Sequence, residues 1–163
     1  DALQLYADEN NVEVYIEKEI KIPRLNVRSF IDAMVLKDGA LYDIKTCNDY
    51  KWQSIFGKYG SKEPPQNYAI QLGTYGLYFR EEGVSLRKMS LLFYNKNNSR
   101  VKELRVPRTY IDMAERYWLK VQELFKEGLP PVQKGLAPVE DWECNKKYCS
   151  FFEPCGGGLK GIQ

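Results

Sequence analysis

The chain has 163 residues, 44% of them hydrophobic and 28% charged, the make-up of one soluble globular domain with a real core. Lys and Arg number 24 against 22 Asp and Glu, a net charge of +2, so an anion-binding surface must come from local clustering rather than overall basicity. The absence of histidine excludes Ser-His-Asp triads, Cys-His pairs and His-ligated metal sites, and leaves catalysis to carboxylates, lysine, tyrosine or cysteine.

Residues 1–10 read as the end of a helix. Val12 to Ile22 alternates as a strand that Pro23 stops, and Val27 to Lys37 forms a second strand. Asp38-Gly39 is a strong hairpin signal, and Leu41 to Thr46 returns from it. From Cys47 to Pro65 the chain is polar, aromatic and punctuated by Gly and Pro, which predicts a long loop or a short helix within one. Gln66 to Phe79 predicts a helix whose small residues Ala69, Gly73 and Gly76 suit close packing on a sheet. Lys88 to Tyr94 reads as a buried strand, Asn95 to Ser99 as a turn and Arg100 to Val106 as the hairpin partner. Thr109 and Asp112 form a capping box for a last helix with Ile111, Ala114, Trp118, Val121 and Phe125 on one stripe. Gly128-Leu129-Pro130-Pro131 ends it. The order β–β–β–α–β–β–α gives an α/β or α+β domain, a mixed central sheet flanked by helices. The expected organisation is one domain over 1–163, with 132–163 an irregular, cysteine-bearing tail. No apolar run approaches the ~20 residues that span a bilayer. No signal peptide is visible. An intracellular, cytoplasmic protein without a membrane partner is expected, with further residues upstream of Asp1.

A two-residue turn at Asp38-Gly39 fixes the register of the first hairpin. Lys37 then faces Ala40, Met34 faces Asp43 and Asp32 faces Lys45. Strict alternation brings Asp32, Asp43 and Lys45 to one face, the two acids about 7–8 Å apart across the diagonal. Two such carboxylates can close on a hard cation, Mg²⁺ or Mn²⁺. Such an ion activates water and neutralises phosphate charge, and a neighbouring lysine can orient the attacking water. The competing reading is a cross-strand ion pair of Asp32 with Lys45 on the wet face of a sheet.

These residues resemble the PD-(D/E)XK nuclease superfamily, in its RecB-like and CRISPR-associated exonuclease branch. The pattern is Asp32 in SFIDAMV, Asp43-Ile44-Lys45 in LYDIKT, and Gln71 with Tyr75 in QLGTY, in order across about residues 12–80. The resemblance implies a restriction-endonuclease-like core and a metal-dependent DNA exonuclease of recombination, repair or processing. Asp32, Asp43 and Lys45 would be catalytic. Asp32, Asp43 and the Ile44 backbone carbonyl would hold the metal. Gln71 and Tyr75, four apart on one helix face, would engage DNA or order the lysine. Glu17 is a candidate further acid, although Glu13 and Glu19 share its face, and Glu9 is a candidate if residues 1–10 are the upstream helix. Ser29 stands where relatives often have Gly. The implied partner is DNA with a free end or a single strand. The alternatives are a non-catalytic DNA-binding or scaffolding domain that kept the fold, and a small structural metal protein with an incidental acidic face.

Three of the four cysteines, Cys144, Cys149 and Cys155, crowd the C-terminal end. The last spacing resembles that of relatives with an iron–sulfur cluster, which implies such a cluster with Cys47 or an upstream residue as fourth ligand. Structural zinc and free buried cysteines are the alternatives. The stretch 48–65 interleaves Lys51, Lys58 and Lys62 with Tyr50, Trp52, Phe56 and Tyr59. These are the residue types that neutralise phosphates and stack bases, or that pin a loop to the core.

Overall fold

A computed structural model describes residues 7–9, 12–37, 39–128, 146–150 and 152–153, and of residues 32–34 the backbone alone. Five strands form one sheet in sequence order: β1 Glu13–Ile22, β2 Val27–Lys37, β3 Ala40–Cys47, β4 Lys88–Asn95 and β5 Val101–Arg105. All neighbours pair antiparallel except β3 with β4, which run parallel, so the sheet is mixed as expected. A parallel pair needs a crossover, and here it carries two helices, α1 Asp49–Phe56 and α2 Gln66–Glu81. The last helix, α3 Thr109–Lys126, follows β5. The fold is α+β.

The short helix within the 47–65 stretch is α1, started by Asn48, whose side chain accepts the Lys51 N–H at 2.9 Å. Its Trp52 and Ile55 are buried, and Phe56 stands edge-on to Phe93 with ring centres 5.5 Å apart. Trp52 and Phe56 therefore pin the segment to the core. The capping box expected at Thr109 and Asp112 does not form. Thr109 is the first helical residue, Arg108 precedes it in helical conformation, and Asp112 receives Arg80 instead. The apolar stripe of α3 ends on Leu124, which is buried, and not on Phe125, which is 81% exposed.

Helix α2 is the centre of the molecule. Residues on every side of it are buried, among them Ile70, Leu72, Tyr75, Leu77 and Phe79, as in a helix covered on all faces. One side meets Met89 of the sheet, the other meets α3. The small residues serve the helix–helix contact more than the sheet contact expected for them. A Cβ on Gly73 would lie 2.3 Å from the Tyr110 carbonyl oxygen of α3, and one on Gly76 would lie 3.0 Å from Ile111. Trp118 Nε1 donates to Thr74 Oγ1 at 2.9 Å and locks the pair. At the rim, Arg24 and Arg80 tie Glu81, Asp112 and Glu115 together, with contacts of 2.6–2.8 Å.

The first hairpin follows the expected register from Lys37↔Ala40 to Met34↔Asp43. Strict alternation, however, breaks in β1. Tyr15 packs on Phe79 of α2, and Lys18 Nζ sits 3.9 Å from the Tyr15 ring centre and 5.9 Å from that of Phe79. Residues three apart on an unbroken strand face opposite ways. Between them Glu17 has φ +50°, a left-handed conformation that turns the strand's phase over. Ile20 and Ile22 are then buried, whereas Ile16 stays exposed. Glu13 and Glu19 consequently do not share a face. Flanking pairs Ile16↔Ala33 and Lys18↔Ile31 set the kinked Glu17 opposite Asp32.

Candidate active site

Asp43 and Lys45 rise from β3 on the side covered by α2, since their parallel neighbours Leu91 and Phe93 lie fully buried in the same layer. Both are removed from water: the Asp43 side chain is 5% exposed and that of Lys45 15%. Lys45 Nζ lies 2.9 Å from Asp43 Oδ2, an ion pair whose angle is not that of a hydrogen bond. The same ammonium donates to Gln71 Oε1 of α2 at 2.8 Å. Gln71 Nε2 donates to Tyr75 Oη at 2.7 Å, and Tyr75 Oη donates to the Phe30 carbonyl of β2 at 3.4 Å. A continuous polar line therefore runs from β3 through α2 to β2.

Gln71 and Tyr75, expected to sit on the acid's side of the sheet, do so. Tyr68 completes that helix face. Its ring centre lies 5.1 Å from Lys45 Nζ and 5.8 Å from Lys51 Nζ, within cation–π reach of both. The sequence reading missed Tyr68, yet its place three residues before Gln71 was a usable signal.

The backbone of Asp32 lies in β2, two residues from the Met34 that pairs with Asp43. The expected pair Asp32↔Lys45 is not among the paired residues. The β2–β3 ladder ends at Met34↔Asp43, while β3 goes on pairing with β4 as far as Cys47↔Asn95. The strands part company beside the acid, near where β1 is kinked at Glu17 opposite Asp32. Glu17 is exposed, and so is Glu9. Ser29 is half-buried opposite Ile20.

No group of three or more acidic or cysteine side chains able to hold a metal occurs among the described residues. Cys47 sits in the hydrophobic core, and burial, with Asp49 nearby, pushes its thiol pKa up. Cys149 is half-buried, and Cys144 and Cys155 lie outside the described residues. No helix among the described residues is long and apolar enough to cross a membrane.

An α+β domain with a mixed sheet and a buried acid–lysine–glutamine–tyrosine line is thus the class that fold and site define. No protein-family profile matches the chain, and no curated relative matches it. Among solved structures it is similar to SSO0001, with TM-score 0.48 and 20% identity over 97% of this chain and 67% of that one. It is also similar to an alkaline exonuclease, LHK-Exo, from Laribacter hongkongensis, with TM-score 0.48 and 18% identity over 77% of this chain and 64% of that one. The chain spans about two thirds of the length of each. Likeness of that degree says nothing about the chemistry of a site.

Proposed function

We propose that the chain is a metal-dependent deoxyribonuclease acting on strand ends, with Asp32, Asp43 and Lys45 at its catalytic centre. The observation that carries the reading is the line Asp43–Lys45–Gln71–Tyr75, closed by contacts of 2.7–2.9 Å. These are the residues of the Asp-x-Lys and Gln-x-x-x-Tyr pattern that resembles the PD-(D/E)XK nucleases. They stand far apart in sequence and meet at one point.

The donor set fits a hard cation. Asp43 and Asp32 offer carboxylates and Ile44 a backbone carbonyl, all oxygen, which suits Mg²⁺ or Mn²⁺ completed by waters and phosphate oxygens. When bound, such an ion supplies an activated water and neutralises phosphate charge. The remaining work belongs to the chain's own side chains. An ammonium has three N–H donors. Asp43 and Gln71 engage Lys45 from two sides, which leaves a donor to hold a water or a phosphate oxygen. Gln71 fixes where that donor points, and Tyr75 fixes Gln71. Burial strengthens each of these interactions, because little water competes.

End-labelled single- and double-stranded DNA, incubated with Mg²⁺, Mn²⁺ or EDTA, tests the proposal. Metal-dependent loss from the ends is expected. DNA left intact under every condition, by folded protein that still binds it, would replace the enzyme with a DNA-binding or scaffolding domain.

We also propose that Cys144, Cys149 and Cys155 hold a structural metal centre, an iron–sulfur cluster ahead of zinc. Thiolates gathered on one ion would staple the C-terminal segment around it. Anaerobically purified protein should be brown and contain iron. Colourless protein with stoichiometric zinc would make the centre a zinc site, and metal-free protein would remove it. Cys47→Ser identifies the fourth ligand: metal content falls if Cys47 supplies it and stays unchanged if an upstream residue does.

A further inference from the structure

The segment that follows β3 carries side chains that the reaction centre does not use. Between residues 50 and 62 there are three lysines and no acidic residue. Tyr59 is 91% exposed and Tyr50 84%. Exposed aromatic rings on a floppy loop would mean little, but this turn is built. Gly60 N–H donates to the Gly57 carbonyl, Ser61 N–H to that of Ser54 and Lys62 N–H to that of Ile55, each at 3.0 Å. Ile55 is buried beneath. The turn also packs tightly on its own helix: a Cβ on Gly57 or Gly60 would come within 2.5 Å of the Gln53 or Ile55 carbonyl oxygen. Tyr59 is therefore held out in water by a fixed backbone, beside Lys58, whose Nζ lies 5.2 Å from its ring centre. A ring presented this way has already lost much of the freedom that binding would cost it.

At the other end of α1, Lys51 shares the Tyr68 ring with Lys45. Both ammonium groups are thus gathered at one ring beside the candidate centre, where Lys45 also meets Asp43 at 2.9 Å. Asp49, the acid nearest in sequence, is turned to the β4–β5 side, where it accepts from Asn95 at 2.7 Å and Asn98 at 3.2 Å. Basic groups beside the candidate centre and a stacking ring beyond it suit a chain of phosphates with unpaired bases. Tyr59 follows Lys51 by eight residues, past the C-terminal end of α1, which is about 12 Å long at 1.5 Å per residue.

We propose that α1 and its following turn form a single-strand platform, in which Lys51 contacts a phosphate next to the Asp43–Lys45 centre and Tyr59 stacks a base a few nucleotides away. This deepens the nuclease reading and rests on it for the position of the strand, but its test does not depend on cleavage. Binding of fluorescein-labelled oligo-dT and of a duplex of equal length is measured by anisotropy in EDTA. Wild-type protein should prefer the single strand. Tyr59→Ala should weaken that binding about 5- to 150-fold, the range for loss of one stacked base, while Tyr59→Phe stays near wild type. Lys51→Gln should reduce the salt slope by about 0.7, one phosphate contact on a single strand. Tyr59 is exposed, so circular dichroism of the Tyr59 variants should match wild type. Oligo-dT binding by Tyr59→Ala within a factor of two of wild type, or no measurable wild-type binding, would overturn the platform. Wild-type cleavage with Tyr59-independent binding would sink the platform and leave the nuclease standing. Tyr59-dependent binding without any cleavage would do the reverse.

Discussion

Gln71→Met keeps the length of the side chain and removes both of its hydrogen bonds. Lys45 loses the acceptor at 2.8 Å, and Tyr75 loses the donor at 2.7 Å. A hydrogen bond to a charged group contributes about 1.5–3 kcal/mol. If the bond to Lys45 is realised fully in the transition state, cleavage slows by roughly 10- to 150-fold at 1.36 kcal/mol per tenfold. The fold should suffer less, because Lys45 retains Asp43 at 2.9 Å and is not left as an isolated buried charge. A stability loss of about 1–2 kcal/mol is expected from removing the donor to the Tyr75 hydroxyl. Gln71 is not in the proposed donor set, so the Mn²⁺ concentration at half-maximal rate should not move. Single-turnover cleavage of end-labelled DNA, urea denaturation and a Mn²⁺ titration read the three quantities separately. Cleavage at the wild-type rate alongside lost stability would make Gln71 a purely structural residue. A metal dependence that shifts as far as the rate would mean that Gln71 acts through the ion.

The remaining expectations follow from the same geometry. Asp43→Asn and Lys45→Met should each abolish cleavage, and Asp32→Asn should do so too, since an amide is a poorer ligand for a hard cation. Asp43→Ala should also cost stability, up to about 3–5 kcal/mol, because it strands the ammonium of Lys45. Urea midpoints for the two Asp43 variants check this. Gly73→Ala should destabilise by at least about 1–3 kcal/mol, the usual cost of overpacking. The new methyl would meet the Tyr110 carbonyl oxygen at 2.3 Å, and α3 must shift; a variant as stable as wild type would mean that the two helices are not in that contact. Burial works to raise the Glu115 pKa, but hydrogen bonds from Arg80 and Arg24 outweigh it, and the net shift is downward. Lys88 and Ser90 likewise hold Glu103 below the usual carboxylate range. A depressed carboxylate stabilises the fold above its unfolded pKa, and that contribution is lost as pH falls through the folded value. Melting temperature should therefore drop below about pH 4.5, and Glu115→Gln should flatten that acid limb.

Much of this arrangement could be read from the chain, because local rules decide it. The Asp38-Gly39 signal fixes the hairpin, and its register gives Met34↔Asp43 without any knowledge of the rest. Gln71 and Tyr75 share a helix face by spacing alone. The failures have a common cause in tertiary context. Nothing in EVYIEKEI announces a left-handed residue at Glu17, because the kink is held by what lies on either side: Tyr15 and Lys18 against α2, with Ile20 and Ile22 buried after it. A period-two reading of Glu13, Glu17 and Glu19 could not foresee it. Gly73 and Gly76 signalled close packing correctly, but small residues do not say whether a sheet or a helix approaches. The capping box failed because the helix already begins at Thr109, with Arg108 before it in helical conformation, and Arg80 of α2, 32 residues away in sequence, takes Asp112.

The buried acid–lysine pair also bears on why the site is built as it is. Taking two charges out of water costs several kcal/mol per ion, and their mutual attraction does not always return it. A domain selected for stability alone would fill this place, between Leu41, Leu91, Phe93 and Tyr75, with apolar side chains like those around it. Instead the polar line is carried through the layer and completed link by link, from Asp43 to the Phe30 carbonyl. The β2–β3 ladder stops beside Asp43, so the strands open where a substrate atom would need room. Buried charge, fixed orientation and an opened ladder coincide at Asp43, and an incidental acidic face requires none of the three. A salt bridge on the wet side of the sheet, the bland reading of the same residues, would look like Lys88 with Glu103: half-exposed, on the outer side of β4, and joined to the ordinary pairing of β4 with β5.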